Sequence, residues 1–286
     1  MADLNITEAG GLPSLDWVAH LAQSAGCLTL EYFRKSFGVN DKGNHLGLVT
    51  DADIASEAFI KEKISELYPD HVVLGEETGW THSAQEGQTV WIIDPIDGTS
   101  NFSKGNAFYC VSIGCGTLAG GRFVPLRAAI VQPSTGDVYA AGQGLGAWCN
   151  GQRLALTADT LDPRRWSIAT GFSSNKGESL AGVIRCVETM QNEILGMRIN
   201  GAAALDLALT SRGIFDGFFE SRLSPWDMAA GDLLVREAGG VVVNYDGEPF
   251  NALTDKNIVA GPQHVVEHLL RMLMRVKEEF KGSAWP

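Results

Sequence analysis

The chain has 286 residues, 45% of them hydrophobic and 20% charged, enough for one large domain or two compact ones and unlike a largely disordered chain. Its net charge of -12 argues against a general nucleic-acid or anionic-membrane surface. The same charge conflicts with an anionic substrate unless cations at the site reverse the local sign.

In chain order, Ser14 is read as the cap of a helix running to about Phe37, with Leu15, Val18, Ala22, Ala25 and Leu28 on one face. A second helix is predicted after Asp53, carrying Ile60, Ile64 and Leu67 at i, i+4 and i+7 and stopping at Pro69. Strand patterns follow at Val72–Leu74, Val90–Ile93, Tyr109–Thr117, Leu126–Gln132 and Asp137–Ala141, with turns at Gly142-Gln143-Gly144 and Asn150-Gly151. From about Leu154 strands and helices alternate. Trp166–Thr170, Gly217–Glu220, Val241–Val243 and Ile258–Ala260 read as strands, and Glu178–Gln191, Ala202–Ser211, Asp227–Glu237 and Gln263–Phe280 as helices. This predicts an α+β half over residues 1–153 and an α/β half over 154–286, and leaves open whether they share one core.

Five cysteines, Cys27, Cys110, Cys115, Cys149 and Cys186, form no Cys-x-x-Cys pair, so reduced thiols and a cytoplasmic location are expected. Met1 to Leu12 lacks the basic and apolar regions of a signal peptide, and no apolar run reaches membrane-spanning length.

The sharpest local feature is Trp91-Ile92-Ile93-Asp94-Pro95-Ile96-Asp97-Gly98-Thr99. An apolar strand delivers two carboxylates onto a tight turn that ends in glycine. Pro95 removes an amide donor, and Gly98 lets a ligand approach its backbone. Two acids, exposed amides and a hydroxyl suit a site for a metal and a phosphate together, although an acidic turn after a strand has the same composition. Glu76 and Glu77 follow the apolar run Val72–Leu74, Asp51 and Asp53 stand at a helix mouth, and Asp227 follows Pro225-Trp226. Singly, each is explained as a turn or cap acid.

Together these stretches resemble the inositol monophosphatase family, within the wider group of lithium-sensitive, metal-dependent phosphatases. The resemblance spans nearly the whole chain. It is carried by Leu48-Val49-Thr50 with Asp53, Leu74-Gly75-Glu76-Glu77, Trp91 to Phe102, Gly201-Ala202-Ala203, and Trp226-Asp227 leading to Glu237-Ala238-Gly239-Gly240. It implies a layered α-β-α-β-α sandwich, with an antiparallel sheet in the N-terminal half and the site between the halves. Glu76, Asp94 and the Ile96 carbonyl would hold one Mg²⁺, and Asp94, Asp97 and Asp227 a second. Glu76 would hold a third largely through waters, with Mn²⁺ as a substitute metal. The amides of Gly98 and Thr99 would receive the phosphate, and Thr99 relayed to Asp53 would orient and deprotonate the attacking water, with Glu76 also in the catalytic set. Gly201, Ala202, Ala203 and Glu220, beside Ile96, Asp97 and Asp227, would line the substrate pocket.

The donor chemistry agrees with this. Clustered carboxylates would stay partly protonated unless divalent cations neutralise them. Oxygen ligands without His or Cys select Mg²⁺ or Mn²⁺ over Zn²⁺. Gly47 replaces an acid found in many relatives, leaving the loop after Lys42 uncertain as a third-metal contact.

Other signals carry less. Ala55 is wrong for the aspartyl-phosphate motif suggested by Asp51-Ala52-Asp53, no Gly-Lys dipeptide supports a P-loop, and Gly114-Cys115-Gly116 lacks the rest of a dinucleotide fingerprint. His264 and His268 are four apart but read as a solvated face. The expected activity is hydrolysis of a small phosphate monoester, inositol monophosphate first and histidinol phosphate second, then fructose 1,6-bisphosphate or adenosine 3',5'-bisphosphate. The non-enzyme alternative is a catalytically silent binding module of the same fold. The resemblance implies a homodimer, with a small phosphorylated metabolite as partner; neither nucleic acid nor membrane is expected.

Overall fold

A computed structural model of the protein describes residues 11–33, 39–41, 48–156, 161–172 and 180–279. In the first half the chain runs α1 (Leu15–Phe33), β1 (Val39–Asp41), β2 (Leu48–Thr50), α2 (Asp51–Leu67), β3 (Val72–Gly75), β4 (Gly79–Trp80), β5 (Thr89–Asp97), α3 (Thr99–Ser103), β6 (Cys110–Ala119), β7 (Arg122–Gln132), β8 (Asp137–Gly142), β9 (Gly146–Cys149) and β10 (Gln152–Arg153). It continues through β11 (Ser167–Thr170), α4 (Leu180–Gln191), β12 (Gly196–Ile199), α5 (Ala203–Ser211), β13 (Gly217–Ser221), α6 (Pro225–Glu237), β14 (Val241–Val243), β15 (Asn257–Gly261) and α7 (Gln263–Glu279).

The larger sheet has eight strands in the order β10-β9-β8-β7-β6-β5-β3-β4. It is antiparallel, as expected, with the β3–β5 pair alone running parallel. The smaller sheet, β12-β11-β13-β15-β14, is mixed. β11 runs parallel to β12 and β13, whereas β15 is antiparallel to β13 and β14.

Period-two alternation sends Val73, Trp91 and Ile93 to one face of the larger sheet, where α1 and α2 bring Val18, Ala22, Ile60 and Ile64. Val72, Leu74, Val90 and Ile92 face the other way, onto a cluster with Leu207, Met228 and Phe218. Helices α5 and α6 are therefore sandwiched between the sheets, and α4 and α7 cover the far face of the smaller sheet through Met190, Val266, Leu269 and Leu273. The result is the five-layer α-β-α-β-α sandwich. Both central clusters draw residues from each half of the chain, so the halves are joined by a common core.

Local chemistry shifts several expected boundaries. α2 begins at Asp51, before Asp53, because Thr50 is its cap and Asp53 closes a capping box from the third helical position. Leu67 is 43% exposed and the buried place beyond Ile64 goes to Tyr68, 7% exposed, which stacks with His71. Asn150 and Gly151, both at positive φ, form the tight β9–β10 turn. The expected ends of the first and last helices at Phe37 and Phe280, and the start at Glu178, lie outside the described residues, as do Lys42 and Gly47. Among the described residues no helix is long and apolar enough to cross a membrane.

Candidate functional site

In a regular strand, residues three apart point to opposite faces. Asp94 and Asp97 do not, because the pairing of β5 with β6 shifts register between them: Asp94 sits opposite Ser112 but Asp97 opposite Cys110. The extra residue is a bulge, and Pro95 lies within it, where its missing amide costs no ladder bond. The strand thus runs through to Asp97, and the turn expected from Asp94 begins only at Gly98. Gly98 has φ +92°. A Cβ on it would lie 3.1 Å from the Ala202 methyl, 3.1 Å from the Phe108 carbonyl oxygen and 3.3 Å from that of Gly201, so glycine is demanded by both conformation and space.

The third acid comes from the second half of the chain. Asp227 stands in the first turn of α6, where its Oδ2 accepts from the Ser224 amide at 2.7 Å in a capping box. Oxygens of Asp94, Asp97 and Asp227 lie within 4.8 Å of one another. One oxygen of each carboxylate is tied to backbone amides. Asp94 Oδ1 takes the Ile96 amide at 3.0 Å, and Asp97 Oδ2 takes those of Ala204 and Leu205 at 2.8 and 3.3 Å. Asp97 thereby caps α5 and locks the β5 turn to the Gly201–Ala203 loop. Glu76, just past β3, opens on the same cavity, and its charge acts on Asp94, Asp97 and Asp227.

Asp53 is fully buried and serves two masters. Its Oδ2 accepts from the Thr50 amide at 2.8 Å, while its Oδ1 lies 3.2 Å from the Thr99 hydroxyl. That hydroxyl is also 3.0 Å from the Ile96 carbonyl. The cap expected from sequence and the partner of Thr99 are one side chain.

These groups open on a cavity of about 330 Å³, in the range of small-metabolite sites. Its lining comes from the first half of the chain through Glu76, Asp97, Gly98, Thr99 and Ser100, and from the second through Gly201, Ala202, Ala203, Glu220 and Asp227, with Phe172 and Leu223. The sequence-predicted site residues thus come together, with Asp94 and Ile96 buried beside them on β5.

The electrostatics of this cluster are compatible with cation binding. Burial, then the charges of Glu76, Asp97 and Asp227, holds the Asp94 carboxyl well above the usual range. Burial first, then neighbouring carboxylates, also raises Asp227 and Glu220 far above it, and burial lifts Asp97 and Asp53 to about 6. Hard oxygen donors within 4.8 Å of one another that resist ionising together fit divalent cations such as Mg²⁺.

This fixes a sign for the metal-free protein. A carboxyl whose pKa is higher in the folded than in the unfolded chain binds more protons when folded, so stability falls as pH rises through that window. For Asp97 and Asp53 the window runs from 3.8 to about 6, and for the others it extends higher. Differential scanning calorimetry of chelated protein should give a Tm at pH 5.5 about 5 °C or more above that at pH 8. Added Mg²⁺ should remove most of the difference.

Sequence reading missed several participants. Cys110 Sγ lies 3.6 Å from Asp97 Oδ2, and burial with the Asp97 and Asp94 charges pushes its thiol well up; only its pairing opposite Asp97 marks it. Asn101 Nδ2 donates to the carbonyls of Phe108 and Asn200, both at 2.8 Å, and Asn200 donates to buried Asp206 at 2.7 Å. This chain of amides ties the turn after β5 to the loop before α5.

A profile described as the inositol monophosphatase family matches residues 15–278. The chain belongs to that family. Nus factor SuhB of Escherichia coli is 38% identical over 274 residues, covering 95% of this chain and 98% of SuhB. The solved structure of the Thermotoga maritima IMPase superposes with TM-score 0.81 at 28% identity, covering 93% of this chain and 98% of that one. SaIMPase-II solved with inositol monophosphate bound gives TM-score 0.74 at 28% identity, covering 91% and 94%. The family fixes the fold and supports the phosphatase class, while the name Nus factor SuhB assigns no substrate.

Proposed function

We propose that the chain is a Mg²⁺-dependent phosphatase of small phosphate monoesters, with inositol monophosphate as its first substrate. The observation that carries the reading is the convergence of Asp94, Asp97 and Asp227 within 4.8 Å, where Asp97 and Asp227 line a cavity together with Glu76 and the Gly98–Ser100 turn. Glu76, Asp94 and the Ile96 carbonyl would hold one Mg²⁺, Asp94, Asp97 and Asp227 another, and Glu76 a third; Mn²⁺ fits the same donors. When bound, such ions neutralise the acids, stabilise charge on phosphoryl oxygens and make water more acidic.

The chain's own residues do the rest. The amides of Thr99 and Ser100 open α3, where a helix offers them no internal acceptor, and with Gly98 they suit a phosphate. Thr99 Oγ1 accepts a hydrogen bond from the attacking water and passes its own proton to Asp53 Oδ1 as the water's proton arrives. Burial raises the Asp53 carboxyl to about 6, which makes it a usable base near neutrality. Gly201, Ala202 and Ala203 shape the wall, and Glu220 accepts from the alcohol part. Inhibition by Li⁺ and a homodimer belong to the same proposal.

One observation favours histidinol phosphate as a second reading. Glu220 is 7% exposed and faces the charges of Asp206, Asp227 and Asp97; among the described residues it accepts no hydrogen bond. An ammonium on the substrate would compensate that acid better than a hydroxyl.

The test is phosphate release from both substrates and the bisphosphates with Mg²⁺, with chelator, and with Li⁺. The first reading expects the highest kcat/KM for inositol phosphate, none under chelation, and a loss of about 10-fold or more in Glu220→Gln. A higher kcat/KM for histidinol phosphate makes the second reading correct, and no release from any substrate leaves a binding module.

A further inference from the structure

One turn beyond Asp53 on α2 lies another buried carboxylate. Glu57 is 1% exposed and is not part of the acidic cluster. Its Oε2 accepts from the Glu77 amide at 2.8 Å and its Oε1 from the Thr78 amide at 3.1 Å. The Thr78 hydroxyl donates to the same Oε1, and the Lys61 ammonium pairs with it at 3.0 Å. On the other side of Glu76, Gly75 touches the same group, where a Cβ would fall 2.5 Å from the Glu57 carboxyl carbon. Glu57 therefore holds the chain just after Glu76 by hydrogen bonds and packs closely against Gly75 just before it.

That grip lies where the sheet ends. The Glu76 amide donates to the Ile93 carbonyl at 3.2 Å, and the chain then leaves the ladder with β5. A charged acceptor with two amides, a hydroxyl and an ammonium fixes a short loop more firmly than any one neutral bond.

We propose that Glu57 is a positioning residue for cation binding: by hydrogen-bonding the backbone just after Glu76 and packing against Gly75 just before it, Glu57 aims that carboxylate at Asp94 and the cavity. This rests on the reading of Glu76 as a cation ligand. Partners that orient ligands are worth about 10–100-fold in metal affinity. An equivalent clamp at the opposite end of α6 separates aiming from general rigidity: Glu237 accepts the Gly144 and Gly146 amides, both at 2.9 Å.

The experiment is isothermal titration of Mn²⁺ into chelator-stripped protein, with the Tm of each metal-free variant recorded. Wild type should bind Mn²⁺, Glu57→Gln should bind about 10-fold or more weakly, and Glu237→Gln should bind like wild type whatever its Tm. Equal binding by Glu57→Gln and wild type overturns the proposal, and so does equal weakening by Glu237→Gln. Should Glu57→Gln not fold, Thr78→Val removes one donor from the clamp; binding about threefold weaker is expected, and unchanged binding overturns the idea. Wild type that binds no Mn²⁺ refutes the cation site itself, a failure distinct from all of these.

Discussion

Asp94→Asn should give a folded protein that releases phosphate at least about 10³-fold more slowly than wild type. Several kilocalories per mole of charge stabilisation are expected from cations at such a site, and Asp94 is the acid proposed to bridge two of them. The fold should tolerate the change well. Asp94 is 1% exposed and its Oδ1 accepts the Ile96 amide, a bond that the asparagine carbonyl can keep. Removing a buried charge that Glu76, Asp97 and Asp227 oppose should leave the metal-free Tm unchanged or higher. Thermal melts with and without Mg²⁺ check this directly: Mg²⁺ should raise the Tm of wild type and have little effect on the variant. Turnover close to wild type would contradict the assignment.

Gly98→Ala should fail for a different reason. The position has φ +92°, which costs about 1–3 kcal/mol for a residue with a side chain. The added methyl also meets Ala202 and the carbonyls of Phe108 and Gly201 at 3.1–3.3 Å. None of these is a flexible chain end, so relief must come from moving the loop before α5 away from the turn after β5. The phosphate amides and the substrate wall would part by a fraction of an ångström or more, which we expect to cost about 100-fold in kcat/KM. Chemical denaturation should show the stability loss and steady-state kinetics the rate loss. An alanine variant with wild-type kcat/KM would show that the two loops need not touch.

The longer strands and helices were legible through periodicity, whereas their order in five layers came from the family resemblance. Val72–Leu74 and Val90–Ile93 are apolar on both faces, as strands covered by helices on two sides must be. The site was legible through spaced motifs, yet its geometry was not. The bulge that swings Asp97 to the side of Asp94 depends on which residues of β6 pair with β5, and nothing in Asp94-Pro95-Ile96-Asp97 states that partner. Asp53 shows the reverse case. Capping and catalytic readings compete in sequence, but the carboxylate has two oxygens and serves Thr50 with one and Thr99 with the other. Glu57 gave no signal because a glutamate within a polar helix is ordinarily solvated; its burial depends on Gly75 folding over it. The short strands β4, β9, β10 and β12 were likewise invisible, since two to four residues carry too little pattern to separate from a turn.

The central claim is that Glu76, Asp94, Asp97 and Asp227, drawn from three separate segments of the chain, share divalent cations. Anomalous diffraction from a crystal soaked in Mn²⁺ measures this directly. Peaks bounded by these four carboxylates and the Ile96 carbonyl are the predicted result. A well-soaked crystal with no anomalous density in that cavity, or with manganese bound only elsewhere, would contradict it.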